Sequence, residues 1–132
     1  MTTIPDSHRD LLSGQVAVLG TVGASGRPQL SGTWFLAEGD TVRISLNTSR
    51  QKVKNLRANP KCSLLIFGDP PYRYIEIRGD AEIVPDDDYA FADQVGAKYG
   101  ADLRNMDQPG EQRVVVTIRP ARVVTWGGAA PR

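Results

Sequence analysis

Hydroxyl, amide and cationic side chains crowd into one short stretch of this sequence, where a predicted strand leads into a predicted helix. They are Ser45, Asn47, Thr48, Ser49, Arg50 and Lys52. The helix is predicted to begin at Ser49, a favourable N-cap residue, and to end before Pro60, which cannot continue it. Arg50 then occupies the first helical position and Lys52 the third.

Two cations at the start of a helix run against an electrostatic preference. Free backbone N–H groups give this end a partial positive charge, so acidic residues are favoured there and each cation costs about 0.3–1 kcal/mol in an isolated helix. The cost is understandable if an anion binds, held by the N–H groups, the hydroxyls of Thr48 and Ser49, and the side chains of Arg50 and Lys52. Phosphate is the predicted anion; the alternative is that both cations simply extend into water.

A second candidate surface is the strand that begins with Pro28, Gln29, Leu30 and Ser31. Proline has no N–H to donate to a neighbouring strand, so it is typical of an edge strand. The free backbone groups of such an edge suit a planar ligand that forms hydrogen bonds. We therefore predict that these four residues lie beside the phosphate site and contact the same ligand.

The residues of common catalytic sites are scarce. The one histidine, His8, has no acid or cysteine spaced to form a metal site or a catalytic dyad with it, and is predicted to lie on the surface. The one cysteine, Cys62, lies in an apolar run and is predicted to be buried. Gly20, Gly23 and Gly26 precede a strand rather than the helix that a dinucleotide-binding loop needs, so Gly23 and Gly26 are predicted to form a turn.

Short strands that alternate apolar and polar residues dominate the chain. The predicted strands span residues 15–22, 28–37, 41–47, 62–67, 73–84, 112–118 and 121–126. The predicted helices span residues 5–12, 49–60 and 85–98. The first three strands are predicted to form an antiparallel meander. Gly79 lies where strand 73–84 is predicted to bend. The pattern predicts a mainly β fold, a small and mostly antiparallel β-barrel with helices at its connections.

The formal net charge is only +1, but the charges are unevenly distributed along the chain. Residues 41–68 carry six basic residues and no acidic one, whereas residues 69–107 carry ten acidic and four basic residues. A local excess of positive charge indicates one localised anionic partner. The near-neutral total argues against nucleic acid and membrane, and the outer strands carry no cluster of aromatic residues for base stacking.

Neither a membrane span nor a targeting segment is predicted. No apolar run approaches the roughly 18 residues of a span, and the N-terminus lacks the basic and apolar regions of a signal peptide. A single cysteine excludes an internal disulfide. We therefore expect an unprocessed cytoplasmic protein, built as one cofactor-binding domain over residues 1–132.

Three blocks of the sequence resemble a known family. They are Gly26-Arg27-Pro28-Gln29-Leu30-Ser31, Arg50-Gln51-Lys52-Val53-Lys54-Asn55-Leu56-Arg57-Ala58-Asn59-Pro60, and Val115-Val116-Thr117-Ile118-Arg119-Pro120-Ala121-Arg122-Val123. Together they resemble the FMN-binding split β-barrel proteins related to pyridoxamine 5'-phosphate oxidase, and more narrowly their flavin/deazaflavin oxidoreductase branch from actinobacteria. The resemblance covers nearly the whole chain in order, and the Arg-x-Lys-x-x-Asn-Leu block is its most specific element.

This resemblance implies a homodimer with cofactor bound in two grooves at the subunit interface. Arg50 and Lys52 match the family's residues for the cofactor phosphate, and residues 29–31 match the strand that runs along the ring system. In the deazaflavin branch the cofactor is coenzyme F420, whose anionic tail suits the basic segment better than the single phosphate of FMN does. FMN stays open as the alternative cofactor.

The activity that the resemblance implies is an F420-dependent reductase. Hydride would pass from reduced F420 to an electron-poor C=C or C=N bond of a small conjugated acceptor, such as an enone, quinone or bilin. No residue is assigned a catalytic role, which is consistent with a cofactor that supplies the chemistry. Tyr72 and Tyr74 are predicted to be core or interface aromatics, with the acceptor side as the alternative.

Two further expectations follow from the resemblance. A carrier that holds F420 or a flavin without turnover is the other alternative function. True pyridoxamine-phosphate oxidases recognise a phosphorylated substrate with C-terminal basic residues. Because the chain stops soon after Trp126, that activity is not expected.

Overall fold

β-Strands are the most abundant secondary structure in this computed structural model, which describes residues 2–68 and 72–128 of the chain. The strands are β1 (Ala17–Val22), β2 (Pro28–Thr33), β3 (Leu36–Glu38), β4 (Thr41–Asn47), β5 (Lys61–Phe67), β6 (Tyr74–Pro85), β7 (Arg113–Ile118) and β8 (Arg122–Trp126). The α-helices are α1 (Gln51–Ala58) and α2 (Ala90–Tyr99), and two 3₁₀ helices span Asp6–Ser13 and Leu103–Met106.

The strands form one antiparallel system in the order β2-β1-β5-β6-β7-β4-β3, with β8 paired to β6. The long strand β6 shapes it, because residues 74–80 pair with β5 whereas residues 81–85 pair with β7. β8 pairs with residues 74–78 of β6. The sheet therefore curls as it passes along β6, and the prediction of a mainly β, mostly antiparallel split barrel is confirmed.

Gly79 marks the point where β6 passes from one half of the sheet to the other. It is buried against the backbone of Arg119, and a Cβ atom at this position would overlap the Arg119 carbonyl oxygen. Pro120 follows at the break between β7 and β8. The predicted bend at Gly79 is thus explained by the close approach of two backbones.

We expect Gly79→Ala to lower the free energy of unfolding by about 1–3 kcal/mol, because the added methyl group must displace backbone. Urea unfolding followed by circular dichroism measures the change. Gly32→Ala is the matched control in β2, since its Cβ would meet only Val16 at an ordinary 3.6 Å. A Gly79→Ala midpoint equal to that of the wild type would contradict the packing explanation.

The apolar residues of each strand lie on one face. In β4, Val42, Ile44 and Leu46 are buried, whereas Arg43 and Ser45 between them are partly exposed. This period of two brings the apolar faces of the central strands into one core. A smaller second core lies under α2, where the packed side chains are Phe91, Ala92, Val95, Leu103, Trp34 and Tyr99.

The prediction of one strand over residues 28–37 is wrong. β2 ends at Thr33, β3 begins at Leu36, and the two lie at opposite ends of the strand order. Phe35 is fully buried at the corner between them; its N–H donates to the Tyr99 hydroxyl at 3.0 Å, and its carbonyl accepts from Lys98 Nζ at 2.8 Å. The partners that create the corner are 63 and 64 residues away, so local alternation did not reveal it.

Two predicted helices also differ from the structure. The N-terminal one is a 3₁₀ helix, and α2 begins at Ala90 rather than at residue 85. The buried carboxylate of Asp86 accepts hydrogen bonds from the N–H groups of Phe91 at 3.2 Å and Ala92 at 2.9 Å. Asp86 therefore caps α2 from the preceding turn, which delays the start of the helix.

His8 is buried, so the prediction of a surface residue is wrong. Its side chain lies with Nε2 2.9 Å from the Trp126 carbonyl oxygen and Nδ1 2.8 Å from the Ser7 hydroxyl. These contacts join the N-terminal 3₁₀ helix to the end of β8. Cys62 is buried as predicted, and burial, followed by the charge of Asp80, raises the pKa of its thiol to about 11.

No helix within residues 2–68 and 72–128 is both long and apolar enough to cross a membrane.

Candidate functional site

An open cleft of about 910 Å³ lies where the edge of β2, the end of β4, the start of α1 and the second 3₁₀ helix meet. Six of the ten predicted binding residues line it: Ser31, Ser45, Asn47, Ser49, Arg50 and Lys52. The strand-to-helix segment and β2 do therefore meet at one surface. This juxtaposition rests on the hairpin between β1 and β2, which places the β2 edge beside α1.

The other four predicted residues do not line the cleft. Pro28 and Leu30 border a smaller cavity of about 510 Å³, because alternate residues of a strand face opposite sides. Gln29 is bound instead by Asn55, whose Nδ2 donates to Gln29 Oε1 at 2.9 Å. Thr48 pairs with Gln112: its N–H donates to the Gln112 carbonyl at 2.9 Å, and its hydroxyl accepts from the Gln112 N–H at 3.3 Å.

The start of α1 differs from the prediction by one residue. Arg50, with φ −71° and ψ 138°, is the N-cap, so Ser49 is not, and Lys52 occupies the second helical position. Asn47 sets this geometry: its Oδ1 accepts from the Ser49 N–H at 2.8 Å and its carbonyl from the Arg50 N–H at 3.0 Å. The Asn47 side chain thus holds the turn that a serine cap was expected to hold.

Arg50 and Lys52 carry charge that the described residues do not neutralise. Across residues 2–68 and 72–128, no carboxylate lies within 4.0 Å of either cation. Lys52 is half-buried, and within the described part of the chain its Nζ donates only to the Ser31 hydroxyl, at 3.3 Å. Burial, with the nearby charge of Arg50, lowers the pKa of Lys52. A bound anion would oppose both effects, because its negative charge favours the protonated form of Lys52 and so raises the pKa.

A buried ion pair supports the floor of the cleft. The Arg113 guanidinium lies 2.9 Å from Asp107 Oδ1, and the two side chains are 8% and 4% exposed. Asn47 Nδ2 donates to Asp107 Oδ1 at 2.7 Å, and the Tyr89 hydroxyl donates to Asp107 Oδ2 at 2.9 Å. Sequence reasoning missed this network, because Asp107 stands in a polar stretch without periodicity.

Glu111 adds a carboxylate to the wall of the cleft. Its Oε1 accepts from the Gln108 N–H at 2.7 Å and from Asn47 Nδ2 at 3.0 Å. The hydrogen bond from the Gln108 N–H has the largest effect, and together these bonds lower the pKa of Glu111. Glu111 is therefore ionised at neutral pH, where it accepts hydrogen bonds and has no proton to donate.

Asn55, the last residue of the Arg-x-Lys-x-x-Asn block, is held by hydrogen bonds to the neighbouring strands. It is buried in α1, and its Nδ2 donates to Thr21 Oγ1 at 3.1 Å and to Gln29 at 2.9 Å. Its Oδ1 accepts from Gln51 Nε2 at 2.9 Å. Asn55 thereby ties the helix that bears the two cations to the β1–β2 hairpin.

Most of the remaining lining of the cleft is apolar and was not predicted. It comprises Val16, Gly32, Trp34, Leu46, Val95, Leu103 and Met106, together with the polar Thr33. Tyr72 and Tyr74 do not line the cleft; Tyr72 is 79% exposed, so it is not a core residue, and Tyr74 packs edge-to-face on Phe67. No group of three His, Cys, Asp or Glu side chains in the described ranges is placed to hold a metal ion.

The curled antiparallel sheet and the cation-lined cleft at its edge define a split β-barrel protein with a site suited to an anionic ligand. Residues 4–127 match the pyridoxamine 5'-phosphate oxidase family. The chain belongs to this family, as the resemblance of its three sequence blocks predicted.

Solved structures agree with this assignment. An F420 reductase is 34% identical, with a TM-score of 0.80 over 92% of this chain and 98% of that one. A conserved hypothetical protein from Mycobacterium tuberculosis is 26% identical, with a TM-score of 0.73 over 96% and 89% of the two chains. The heme storage protein HutZ from Vibrio cholerae, 17% identical with a TM-score of 0.76 over 97% and 98%, shares the fold.

Proposed function

We propose that this protein is an F420-dependent oxidoreductase that reduces a small conjugated organic acceptor in the cytoplasm. The observation that carries the proposal is the pair of cations, Arg50 and Lys52, that face a large cleft without a carboxylate partner in the described residues. The similarity to an F420 reductase at 34% identity over nearly the whole of both chains supports the same cofactor.

The residues of the cleft fit an anionic cofactor. Arg50, Lys52 and the hydroxyls of Ser31, Ser45 and Ser49 would hold its phosphate, since charged and hydroxyl donors together give strong hydrogen bonds to phosphate oxygens. Among the described residues the first intrahelical hydrogen bond of α1 is donated by Val53, to the Arg50 carbonyl at 3.1 Å, so the N–H groups of Gln51 and Lys52 remain available for an anion.

The protein's own part in the reaction would be binding and orientation. When bound, reduced F420 supplies a hydride, so the acceptor gains two electrons and a proton, a second proton comes from water, and the cofactor is left oxidised. Arg50 and Lys52 would anchor the anionic part of the cofactor and so limit the orientations that the rest of it can take in the cleft. Glu111, ionised and hydrogen-bonded, does not serve as the proton donor.

A homodimer is part of the proposal. Phe67, Tyr74 and Trp126 lie opposite one another across β5, β6 and β8, and Phe67 and Trp126 are 52% and 62% exposed. Leu30, 73% exposed, lies on the edge strand β2. Exposed apolar side chains in this number are typical of a protein interface, and a second copy of the chain is the proposed partner.

Titration of the purified protein with F420 and with FMN tests the cofactor. We expect saturable F420 binding, followed by its fluorescence, at lower concentrations than FMN requires. Tight FMN binding with none for F420 would overturn the F420 assignment in favour of an FMN-dependent enzyme of the same fold. Binding of reduced F420 without its oxidation by quinones, enones or bilins would indicate a carrier.

Heme, which a structural neighbour of the same fold stores, has weaker support here. The chain has one histidine, and both ring nitrogens of His8 lie within 2.9 Å of hydrogen-bond partners in a buried position. A histidine so engaged would have to leave its site before it could bind an iron atom.

A further inference from the structure

A carboxylate in a site suited to an anion is unexpected, and this site contains one. Glu111 lies between the second 3₁₀ helix and β7 and lines the cleft together with Ser49, Arg50 and Lys52. A negative charge in this position repels a bound anion and so weakens the attraction of the two cations. A residue that carries such a cost at a binding site is typical of one with a role in function.

The charge of Glu111 is not neutralised by a neighbouring cation. Its side chain is partly buried, and no Lys, Arg or His nitrogen of residues 2–68 and 72–128 lies within 4.0 Å of its carboxylate oxygens. Asp107, the other acidic residue bound to Asn47, differs, because the Arg113 guanidinium lies 2.9 Å from it. Glu111 therefore contributes a negative charge to the cleft, whereas the charge of Asp107 is neutralised.

Glu111 lies beside the start of α1, where the phosphate is proposed to bind. Asn47 joins the two, because its Nδ2 donates to Glu111 Oε1 at 3.0 Å and its Oδ1 accepts from the Ser49 N–H at 2.8 Å. The Gln108 N–H, and after it the Ser49 hydroxyl, are the first of the hydrogen-bonding groups that lower the pKa of Glu111. Arg50, the N-cap of α1, follows Ser49 directly. A phosphate held there is therefore within the electrostatic field of Glu111.

The charges that line the cleft favour an anion with a single negative charge. Arg50 and Lys52 supply two positive charges and Glu111 supplies one negative charge, while Arg113, the other charged lining residue, is neutralised by its ion pair. One positive charge remains, and the helix start adds a partial positive charge. A phosphate diester carries one negative charge at neutral pH, whereas a terminal monoester carries about −1.5 to −2. Glu111 thus repels a monoester up to about twice as strongly as a diester.

We propose that Glu111 determines cofactor specificity: its carboxylate makes the anion site select a phosphate diester, such as that of F420, over a terminal phosphate monoester, such as that of FMN. This role rests on the proposed function, because it takes Arg50 and Lys52 to hold the phosphate of the cofactor. Glu111 acts on the charge of the bound phosphate and takes no part in hydride transfer. Without Glu111, the two cations would instead favour the greater charge of FMN.

Glu111→Gln tests the role, since it removes the charge, keeps the shape of the side chain and leaves an oxygen that can accept from the Gln108 N–H. The probes are FMN, a phosphate monoester, and the cyclic phosphate diester of riboflavin, which has the same flavin ring. Titrations followed by flavin fluorescence at neutral pH and low salt give both dissociation constants. We expect Glu111→Gln to bind FMN roughly tenfold more tightly than the wild type does, and the cyclic diester or F420 less than about threefold more tightly.

Glu82→Gln is the matched control. Glu82 is an exposed carboxylate of β6 that pairs with Arg119 at 2.9 Å and does not line the cleft. This variant changes the net charge by the same amount, so its affinity for FMN should equal that of the wild type. Urea unfolding checks that Glu111→Gln keeps the wild-type midpoint, because a purely structural role of its hydrogen bonds with Gln108 and Asn47 would lower it.

The outcomes distinguish this role from the proposed function. An unchanged ratio of the dissociation constants for FMN and the cyclic diester in Glu111→Gln would overturn the role of Glu111, whether or not F420 binds. Weaker binding of both flavins with a lower urea midpoint would show that Glu111 only supports its loop, and would also overturn the role. If the wild type binds FMN tightly and F420 not at all, the proposed cofactor is wrong, yet a shift of the ratio toward FMN in Glu111→Gln would still support charge selection by Glu111.

Discussion

Replacing Arg50 or Lys52 with alanine is expected to weaken F420 binding by roughly ten- to 100-fold each. A hydrogen bond between a charged group and its partner contributes about 1.5–3 kcal/mol, and every 1.4 kcal/mol corresponds to a factor of ten in Kd. Both cations line the cleft and have no carboxylate partner in the described parts of the chain. Fluorescence titration with F420 measures the loss, which should shrink as salt is added, because added ions screen the attraction.

Stability separates an anion site from a structural role. Each cation lies at the positive end of α1, so its removal should leave the free energy of unfolding unchanged or raise it by about 0.3–1 kcal/mol. Lys54→Ala is the matched control, since Lys54 is an exposed cation of the same helix that does not line the cleft. Equal F420 affinities for Lys52→Ala and Lys54→Ala would remove the argument for a phosphate site at this helix.

The second large effect is expected at the buried ion pair. Arg113→Ala or Asp107→Ala should destabilise the protein by about 3–5 kcal/mol, because each change leaves an uncompensated charge among buried groups. Arg104 and Asp93 form the exposed counterpart, 52% and 54% exposed, and Arg104→Ala should cost about 1 kcal/mol or less. Urea unfolding of the three variants gives their free energies of unfolding. Similar losses of stability for the buried and the exposed pair would contradict this prediction.

The same pair gives a prediction for pH. Burial alone would raise the pKa of Asp107, but hydrogen bonds from Arg113, Asn47 and Tyr89 outweigh it and hold the pKa below its ordinary value of 3.8. Ionised Asp107 therefore stabilises the folded protein above about pH 4, and this contribution is lost as the pH falls through the lower, folded value. The stability difference between the wild type and Asp107→Asn should therefore stay constant from about pH 7 to pH 5 and narrow as the pH falls below about 4.

The ion pair is also connected to the proposed phosphate site. Asn47 donates to Asp107 through Nδ2 and holds the Ser49 and Arg50 N–H groups through its two oxygens. Loss of the Asp107 carboxylate would remove one of the two carboxylates that bind Asn47 Nδ2, leaving Glu111, and would weaken the support of the turn before α1. A modest loss of F420 affinity in Asp107→Asn, smaller than that in Arg50→Ala, is the expected sign of this connection.

Local patterns in the sequence were enough for much of the fold. The alternation of apolar residues predicted β4, β5 and β7 within about one residue at each end, and Gly79 marked the bend in β6. Local patterns predicted the wrong ends of elements where a side chain that is distant in the sequence determines the backbone conformation. Tyr99 and Lys98 break the strand after Thr33, and Asp86 delays the start of α2.

The candidate site shows the same division. The unfavourable position of the cations Arg50 and Lys52 could be inferred from the sequence, because the preference for acidic residues at a helix start is a local property. The predicted Ser49 cap is wrong, because Arg50 is the N-cap and the Asn47 side chain accepts from the Ser49 N–H. Pro28 and Leu30 border the smaller cavity instead of the cleft, because alternate residues of a strand face opposite sides of the sheet.

The amino-acid sequence alone was enough to infer a small antiparallel barrel, a family, and a pair of cations at a helix start where an anion is favoured. These follow from the periodicity of strands and from the charge of a helix end, which act between neighbours in the chain. Only the tertiary structure brought Trp34, Leu103 and Met106 to the same cleft and joined Arg113 to Asp107 beneath it. Those arrangements depend on how α2 and the second 3₁₀ helix pack across the sheet, and packing between distant segments leaves no periodic signal in the sequence.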